Sequence, residues 1–327
     1  MIKVLELFGG IGAFTQALKR CGIDYEIADY VEIDKYAVKS YNAINGTDFE
    51  TQDVSEWDKD IEVDFIMQGS PCQDFSVAGR QLGGEQGSGT RSSLLWHSVR
   101  IIEKLKPKYV LWENVKNVTG KKHRHVFDKY LETLEQIGYR NYWQILNAKD
   151  YGIPQNRERV FVLSIRNDID IDYEFPKPFP LDKRLVDVLE DEVDEKYYIN
   201  TEKAQQLILD LIERGEIDGV GRLGNIYGFT GGNFAGNVYS AKGIAPALKT
   251  MQGGNRQPLI VAKMRNEMPK YRIRKLTPNE CWRLMGFPDE AFEKAEAVNS
   301  NSQLYKEAGN SIVVDCLVHI LKNLKLE

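Results

Sequence analysis

Between residues 3 and 165, short runs rich in β-branched and aromatic residues alternate with amphipathic stretches of helical period. Few architectures accept that alternation. The pattern predicts strands over 3–8, 25–32, 63–68, 108–113, 142–147 and 159–165, with helices over 13–21, 35–42, 92–105 and 126–137 between them. Strands separated by helices argue for an α/β chain with a doubly wound, parallel sheet. Such sheets gather their functional groups in the crevice outside the carboxyl ends of the strands. The residues just beyond each apolar run are therefore the ones to examine.

Three of those positions carry reactive side chains. Gly69-Ser70-Pro71-Cys72-Gln73 follows the third run, Glu113-Asn114-Val115 closes the fourth, and Gln155-Asn156-Arg157-Glu158-Arg159 leads into the sixth. An isolated cysteine is most often a small buried hydrophobe. Here it stands on a turn framed by glycine and proline, in line with a carboxylic acid and two guanidinium groups. A cysteine protease would need a histidine as base, and the nearest, His97, falls inside a helical pattern. A redox role would need a partner cysteine; Cys21, Cys72, Cys281 and Cys316 are scattered, with no metal-ligand spacing, so no metal is expected.

An electron-poor ring fits the set better. A thiolate adding to C6 of cytosine makes C5 nucleophilic, a carboxyl group at N3 eases the addition, and an arginine holds O2 or phosphate. The acid role asks for a raised pKa, which a desolvated pocket supplies. A cofactor site is foreshadowed at the amino end. Phe8-Gly9-Gly10-Ile11-Gly12 joins a strand to a helix but misses the dinucleotide spacing, and any βα unit can turn on glycine. Glu32 follows Gly12 by twenty residues at the end of the second strand, placed to accept from ribose hydroxyls, with Asp34 better read as a helix N-cap. Asp53 is either an acceptor for an adenine amino group or a plain surface aspartate.

Taken in order, these segments resemble those of bacterial and phage DNA (cytosine-5)-methyltransferases. The likeness covers nearly the whole chain apart from a variable region. It runs through Phe8-Gly9-Gly10-Ile11-Gly12, Pro71-Cys72-Gln73, Glu113-Asn114-Val115, Gln155-x-Arg157-x-Arg159, Arg274-Lys275-Leu276-Thr277-Pro278 with Glu280-Cys281 and Met285-Gly286-Phe287-Pro288, and Gly309-Asn310-Ser311. The resemblance implies a Rossmann-like S-adenosylmethionine-dependent fold. It implies S-adenosylmethionine held by Phe8, Gly10, Gly12, Glu32, Ile33, Asp53, Pro71, Leu94 and Asn310. It implies Cys72 as nucleophile, Glu113 at N3 and the amino group, Arg159 at O2 and Arg157 in support. The target base must leave the duplex to be reached, and the glycine-rich stretch 73–91 suits a lid over it. Gln73, Ser76 and Arg80 are candidate DNA contacts there, as are Thr250, Arg256 and Gln257 in the variable region. Ala247 stands where the family carries a hydroxyl residue.

Composition sets the remaining bounds. With 42% hydrophobic and 28% charged residues in 327, and no apolar run long enough to cross a bilayer, a cytoplasmic protein is expected. The net charge of −5 does not favour nucleic acid, but a polyanion responds to local charge. Lys263 to Lys275 carries six cations in thirteen residues, and Lys116 to Lys129 forms a second cluster. The proline-rich 175–180 reads as a linker. The expected organisation is a catalytic and cofactor-binding domain, 1–180 plus 300–327, and a smaller loop-rich target-recognition domain with hinge, 181–299. A terminal helix over 312–324 is expected to pack back on the first domain. The partner expected is double-stranded DNA, read by a monomer in a restriction-modification or phage self-protection role, with a cognate endonuclease encoded separately. RNA cytosine methylation and a non-catalytic DNA-binding control protein are the alternatives. A nicotinamide dehydrogenase would account for the first fifty residues only.

Overall fold

The computed structural model describes residues 1–71, 85, 87, 89–228, 235–251, 256–264, 270–324 and 326. The chain divides into two compact units, one of Met1–Asn147, Glu158–Lys177 and Val314–Glu327, the other of Ala148–Arg157 and Pro178–Val313. The division drawn from sequence differs in three places, the shortest being residues 178–180, which fall in the second unit. The second unit also takes in residues 148–157 and 300–313, and hydrogen bonds from Gln155 and Arg157 to residues 248, 284, 309 and 311 explain both additions.

The first unit is built on strands β1 (Ile2–Leu7), β2 (Tyr25–Val31), β3 (Phe65–Gln68), β4 (Tyr109–Val115), β5 (Tyr139–Asn147) and β6 (Glu158–Arg166), in the order β2-β1-β3-β4-β6-β5. Helices α1 (Ala13–Cys21), α2 (Lys35–Asn45), α3 (Leu95–Leu105) and α4 (Arg124–Gln136) lie between consecutive strands, as the alternation predicts. The expectation of a wholly parallel sheet fails at one strand. Strands β2, β1, β3 and β4 run parallel, whereas β6 is antiparallel to both β4 and β5. Ten residues without a crossover helix join β5 to β6, which suits an antiparallel return and is short for a parallel crossover.

Local chemistry fixes the helix ends. Asp34 caps α2, its carboxylate accepting from the Tyr36 amide at 3.1 Å. The C-terminal helix Val314–Leu324 packs on α1, tied by the Arg20–Asp315 ion pair at 3.1 Å and a Cys21 thiol to Val318 carbonyl contact at 3.7 Å. The core below the sheet includes Leu5, Ile66, Val110, Trp112, Phe127, Tyr130 and Val162, all buried.

The second unit holds a four-stranded sheet of β7 (Arg222–Asn225), β8 (Asn237–Ser240), β9 (Leu259–Lys263) and β10 (Tyr271–Lys275), ordered β10-β9-β8-β7. The short strands were expected; the helix covering them, α5 (Glu202–Glu213), was not. Thr201 caps it, and Ala204, Leu207, Ile208 and Leu211 form one apolar face against Val238, Leu259, Val261 and Ile273. Helices α6 (Pro278–Arg283), α7 (Asp289–Glu296) and α8 (Asn301–Asn310) complete the unit. The Thr277 and Glu280 side chains form a capping box at α6, with Pro278 in its first turn. Arg274 meets Glu280 bidentately at 2.7 and 2.8 Å in full burial, so these two charged residues serve the fold. No helix among the described residues is long and apolar enough to cross a membrane.

Candidate active site

Strand order reverses at β1, whose neighbours are β2 on one side and β3 on the other, so the crevice of the first unit lies beyond the carboxyl ends of β1 and β3. Phe8, the first residue past β1, has φ 54°, a left-handed conformation uncommon for an aromatic residue. A Cβ on Gly9 would lie 2.5 Å from the Tyr30 ring, while one on Gly10 would meet nothing within 4 Å. The loop is thus packed from below and open above. Gly12, at φ 81°, precedes α1 and rests against Tyr41.

The Glu32 carboxylate accepts from the Gly10 amide at 3.1 Å and from the Asp34 amide at 2.8 Å, which ties the end of β2 to the glycine turn. Burial pushes its pKa up, against the lowering effect of those amides. Ile33 beside it is 67% exposed. Asp53 accepts from the Ser55 hydroxyl and amide, and these bonds hold its carboxyl below the usual range. Phe8 and Leu94 are partly buried against the main core. Of the cofactor residues expected in the first unit, Gly10 and Glu32 are in direct contact at the switch point.

On β4, alternate side chains face opposite ways. Glu113 on one face meets the Arg159 guanidinium at 3.0 Å, Nε to Oε1, with side-chain exposures of 11% and 19%. Register explains the meeting: Arg159 lies opposite Val115 on β6, diagonal to Glu113. Trp112 and Asn114 occupy the other face. The Trp112 indole donates to the Ser70 hydroxyl at 2.9 Å, and the Asn114 amide donates to the Ser70 carbonyl at 3.1 Å and hydroxyl at 3.2 Å. The Ser92 hydroxyl donates to the Pro71 carbonyl at 3.0 Å. On one face β4 thus supplies the acid that meets Arg159 of β6 and, on the other, a clamp on the loop that leads into Cys72.

Cys72, Gln73, Ser76 and Arg80 lie outside the described residues, as does most of the expected lid. Arg157 is found in the second unit. It is buried, and it donates to the carbonyls of Leu248 at 2.8 Å, Gly309 at 3.1 Å and Ser311 at 2.8 Å. Gln155 takes the Leu248 amide at 2.9 Å and donates to the Leu284 carbonyl at 2.8 Å. Leu248 is therefore gripped by both its amide and its carbonyl, and its neighbours Ala247 and Lys249 are exposed. Gly309 seats the same segment, since a Cβ there would lie 2.2 Å from the Lys249 carbonyl oxygen. Thr250, Arg256, Gln257 and Asn310 belong to this unit too, with Arg256 and Asn310 exposed.

Several contributors carry no motif signal. Ser70, Ser92 and Trp112 support the Pro71 loop. Asp29, also buried, anchors the segment on both sides of Asp53, accepting from the Gln52 side-chain amide at 2.8 Å and the Trp57 indole at 2.7 Å. A buried acid in a strand, such as Asp29 or Glu6, is the one signal that marks such a position from sequence.

A profile of C-5 cytosine-specific DNA methylases matches residues 2–326. The chain belongs to that family. Relatives align along their full length: an orphan methyltransferase of Bacillus phage SPbeta is 33% identical over 99% of this chain and 97% of its own. The type II methyltransferase M.HhaI of Haemophilus parahaemolyticus is 35% identical over 99% and 94%. The solved structure of S. pombe Dnmt2 superposes with a TM-score of 0.68 at 20% identity, covering 100% of both chains, and at that identity the likeness speaks for the fold alone. The α/β architecture is that of an S-adenosylmethionine-dependent methyltransferase. Family membership makes the chain a DNA cytosine-5-methyltransferase and implies a methyl donor.

Proposed function

We propose that the chain methylates C5 of one cytosine within a short, specific duplex DNA sequence, with S-adenosylmethionine as donor. The observation that carries the reading is the pairing of Glu113 on β4 with Arg159 on the adjacent β6, while the opposite face of β4 holds Ser70, two residues before Cys72. The crevice at the β1–β3 switch fits the donor. Glu32 and Asp53 offer carboxylates for ribose hydroxyls and an adenine amino group, Ile33 offers an apolar face, and Gly10 leaves room for the ligand to approach the backbone. Phe8, Gly12, Pro71 and Leu94 of the first unit are assigned to the same donor, and Asn310 is a further candidate for it. When bound, S-adenosylmethionine supplies an electrophilic methyl group on a sulfonium.

The chain's own residues prepare the acceptor. The flipped cytosine, whose extrusion costs a few kcal/mol, is held by Glu113 at N3 and the amino group and by Arg159 at O2. The Cys72 thiolate adds to C6, and Glu113 stabilises the charge that develops on N3 while C5 becomes nucleophilic. After methylation, loss of the C5 proton expels Cys72 and restores the ring. Arg157 acts here as a positioning residue, because its donors are committed to backbone carbonyls of the second unit. That unit, with Thr250, Arg256 and Gln257, supplies sequence recognition and hinge, while Gln73, Ser76 and Arg80 contact DNA beside the vacated base. The enzyme works as a cytoplasmic monomer in restriction-modification, beside a separate endonuclease, or in phage self-protection.

Bisulfite sequencing of DNA from methylation-free bacteria expressing the chain tests the proposal. Protected cytosines in a single short context, lost in Cys72→Ala, are expected. Soluble protein that leaves every cytosine convertible, while transferring labelled methyl groups to RNA, would refute it.

A further inference from the structure

Charge is distributed against the overall balance in one segment of the first unit. Residues 116–129 carry Lys116, Lys121, Lys122, Arg124 and Lys129 with a single acid, Asp128, in a chain of net charge −5. All five cationic side chains are exposed. They occupy the short turn Lys116–Thr119, the loop after it and the first turns of α4. That turn continues directly from β4. Lys116 is three residues beyond Glu113, about 10 Å along an extended strand, and it pairs with Glu158, the neighbour of Arg159, at 2.9 Å. Basic ridge and active site therefore share one rim.

The arrangement runs against local electrostatics. The first turn of α4 contains Arg124 and His125 and no acid, and Lys121 and Lys122 precede it, where the positive end of the helix dipole disfavours cations. Helix α7, by contrast, opens with Asp289 and Glu290. Lys121 has no ion-pair partner among the described residues. Two cations are also held in place by aromatic rings. Arg124 lies 5.6 Å from the Phe127 and Trp143 ring centres, and Lys129 lies 5.0 Å from that of Trp96. Lys116 and Arg124 are each paired with an acid, Glu158 and Asp128, so the charge a polyanion would neutralise is that of the exposed Lys121, Lys122 and Lys129.

Resting on the reading of duplex DNA as substrate, we propose that this ridge is a second contact for the DNA phosphate backbone, gripping it several nucleotides from the reacting cytosine. With one strand rising about 3.4 Å per nucleotide, Lys116 is offset from Glu113 by roughly three nucleotides, and Lys121, Lys122 and Lys129 extend the contact onward.

The test is the salt dependence of binding of the full chain to a short duplex of arbitrary sequence. The triple variant Lys121→Gln, Lys122→Gln, Lys129→Gln is expected to bind at least tenfold more weakly at low salt. The slope of log K against log salt should fall by about 0.9 per lost contact, roughly two to three units in all. The corresponding Lys→Arg triple variant should keep both values, and the three proteins should melt within a few degrees of one another, so that the binding deficit is not a folding defect. If the wild type binds with a steep slope and the glutamine variant matches it, the ridge proposal fails and the DNA reading stands. A wild type without salt-dependent duplex binding overturns both. A deficit confined to an RNA duplex overturns the proposal in favour of RNA.

Discussion

Replacing Arg157 by alanine separates a structural from a catalytic role for the arginine motif. The side chain is 3% exposed and makes three hydrogen bonds of 2.8–3.1 Å to carbonyls 91, 152 and 154 residues away in sequence. Each bond from a charged donor contributes about 1.5–3 kcal/mol. Their sum, roughly 4–9 kcal/mol, is an upper bound because carbonyls relax and water enters, and about 4 kcal/mol is the expected loss. At about 2–4 °C per kcal/mol for a domain of this size, the melting midpoint should fall by roughly 8–16 °C. Arg157→Lys, keeping one cationic head but not the span of two nitrogens, should fall between. Arg159→Ala gives the opposite signature. Its partner Glu113 is buried but can take up a proton once the guanidinium is gone, so the midpoint should fall less than in Arg157→Ala while turnover is lost. Differential scanning calorimetry beside steady-state methylation reads both. An Arg157→Ala protein that melts like the wild type yet has lost kcat would refute the assignment of Arg157 to positioning.

Three other expectations follow from the same contacts. Burial pushes Glu6, buried under the glycine loop and bonded to the Thr15 hydroxyl, up to about 7 from 4.5. The folded protein therefore binds the proton more tightly than the unfolded chain. That contribution is complete below 4.5 and is lost as pH rises through about 7, a change of about 3 kcal/mol; Glu6→Gln should flatten the melting midpoint between pH 5 and 8, and an unchanged slope would exclude Glu6 as its source. Gly309→Ala would gain about 1 kcal/mol of helix propensity, yet its Cβ would lie 2.2 and 2.3 Å from Lys249 backbone atoms. The segment must withdraw by roughly 1 Å at a cost of about 1–3 kcal/mol, so calorimetry should show net destabilisation. Asn114→Ala should cut kcat on the order of 10²-fold by loosening the Pro71 loop, and a kcat within twofold of wild type would remove Asn114 from that task.

What the sequence made legible is what short-range chemistry determines. Helix α1 has the expected bounds, Asp34 and Thr277 cap where their side chains allow, and six motifs identify the family in order. Two features depended on longer range. The direction of β6 is set by the absence of a crossover helix between residues 147 and 158, which the apolar pattern of the strand itself does not encode. Arg157 shares a motif with Arg159, but its partners are distant in the chain, so no spacing distinguishes the buried staple from the arginine at the acid. Helix α5 was legible in the Ala204, Leu207, Ile208 and Leu211 spacing; the glycine- and asparagine-rich composition of the region around 219–254 drew the reading toward loops and short strands alone. At the site, the motif side chains were visible and their supports, Ser70, Ser92, Trp112 and Asp29, were not.

The most direct test of the central claim is covalent capture. DNA copied with 5-fluoro-2′-deoxycytidine in place of deoxycytidine presents a C5 from which no proton can be lost. Incubated with the chain and S-adenosylmethionine, it should yield a protein–DNA adduct that survives denaturant, mapping by mass spectrometry to Cys72 and absent from Cys72→Ala. A wild-type enzyme that methylates ordinary DNA but forms no such adduct, or a Cys72→Ala enzyme that still methylates, would contradict the account.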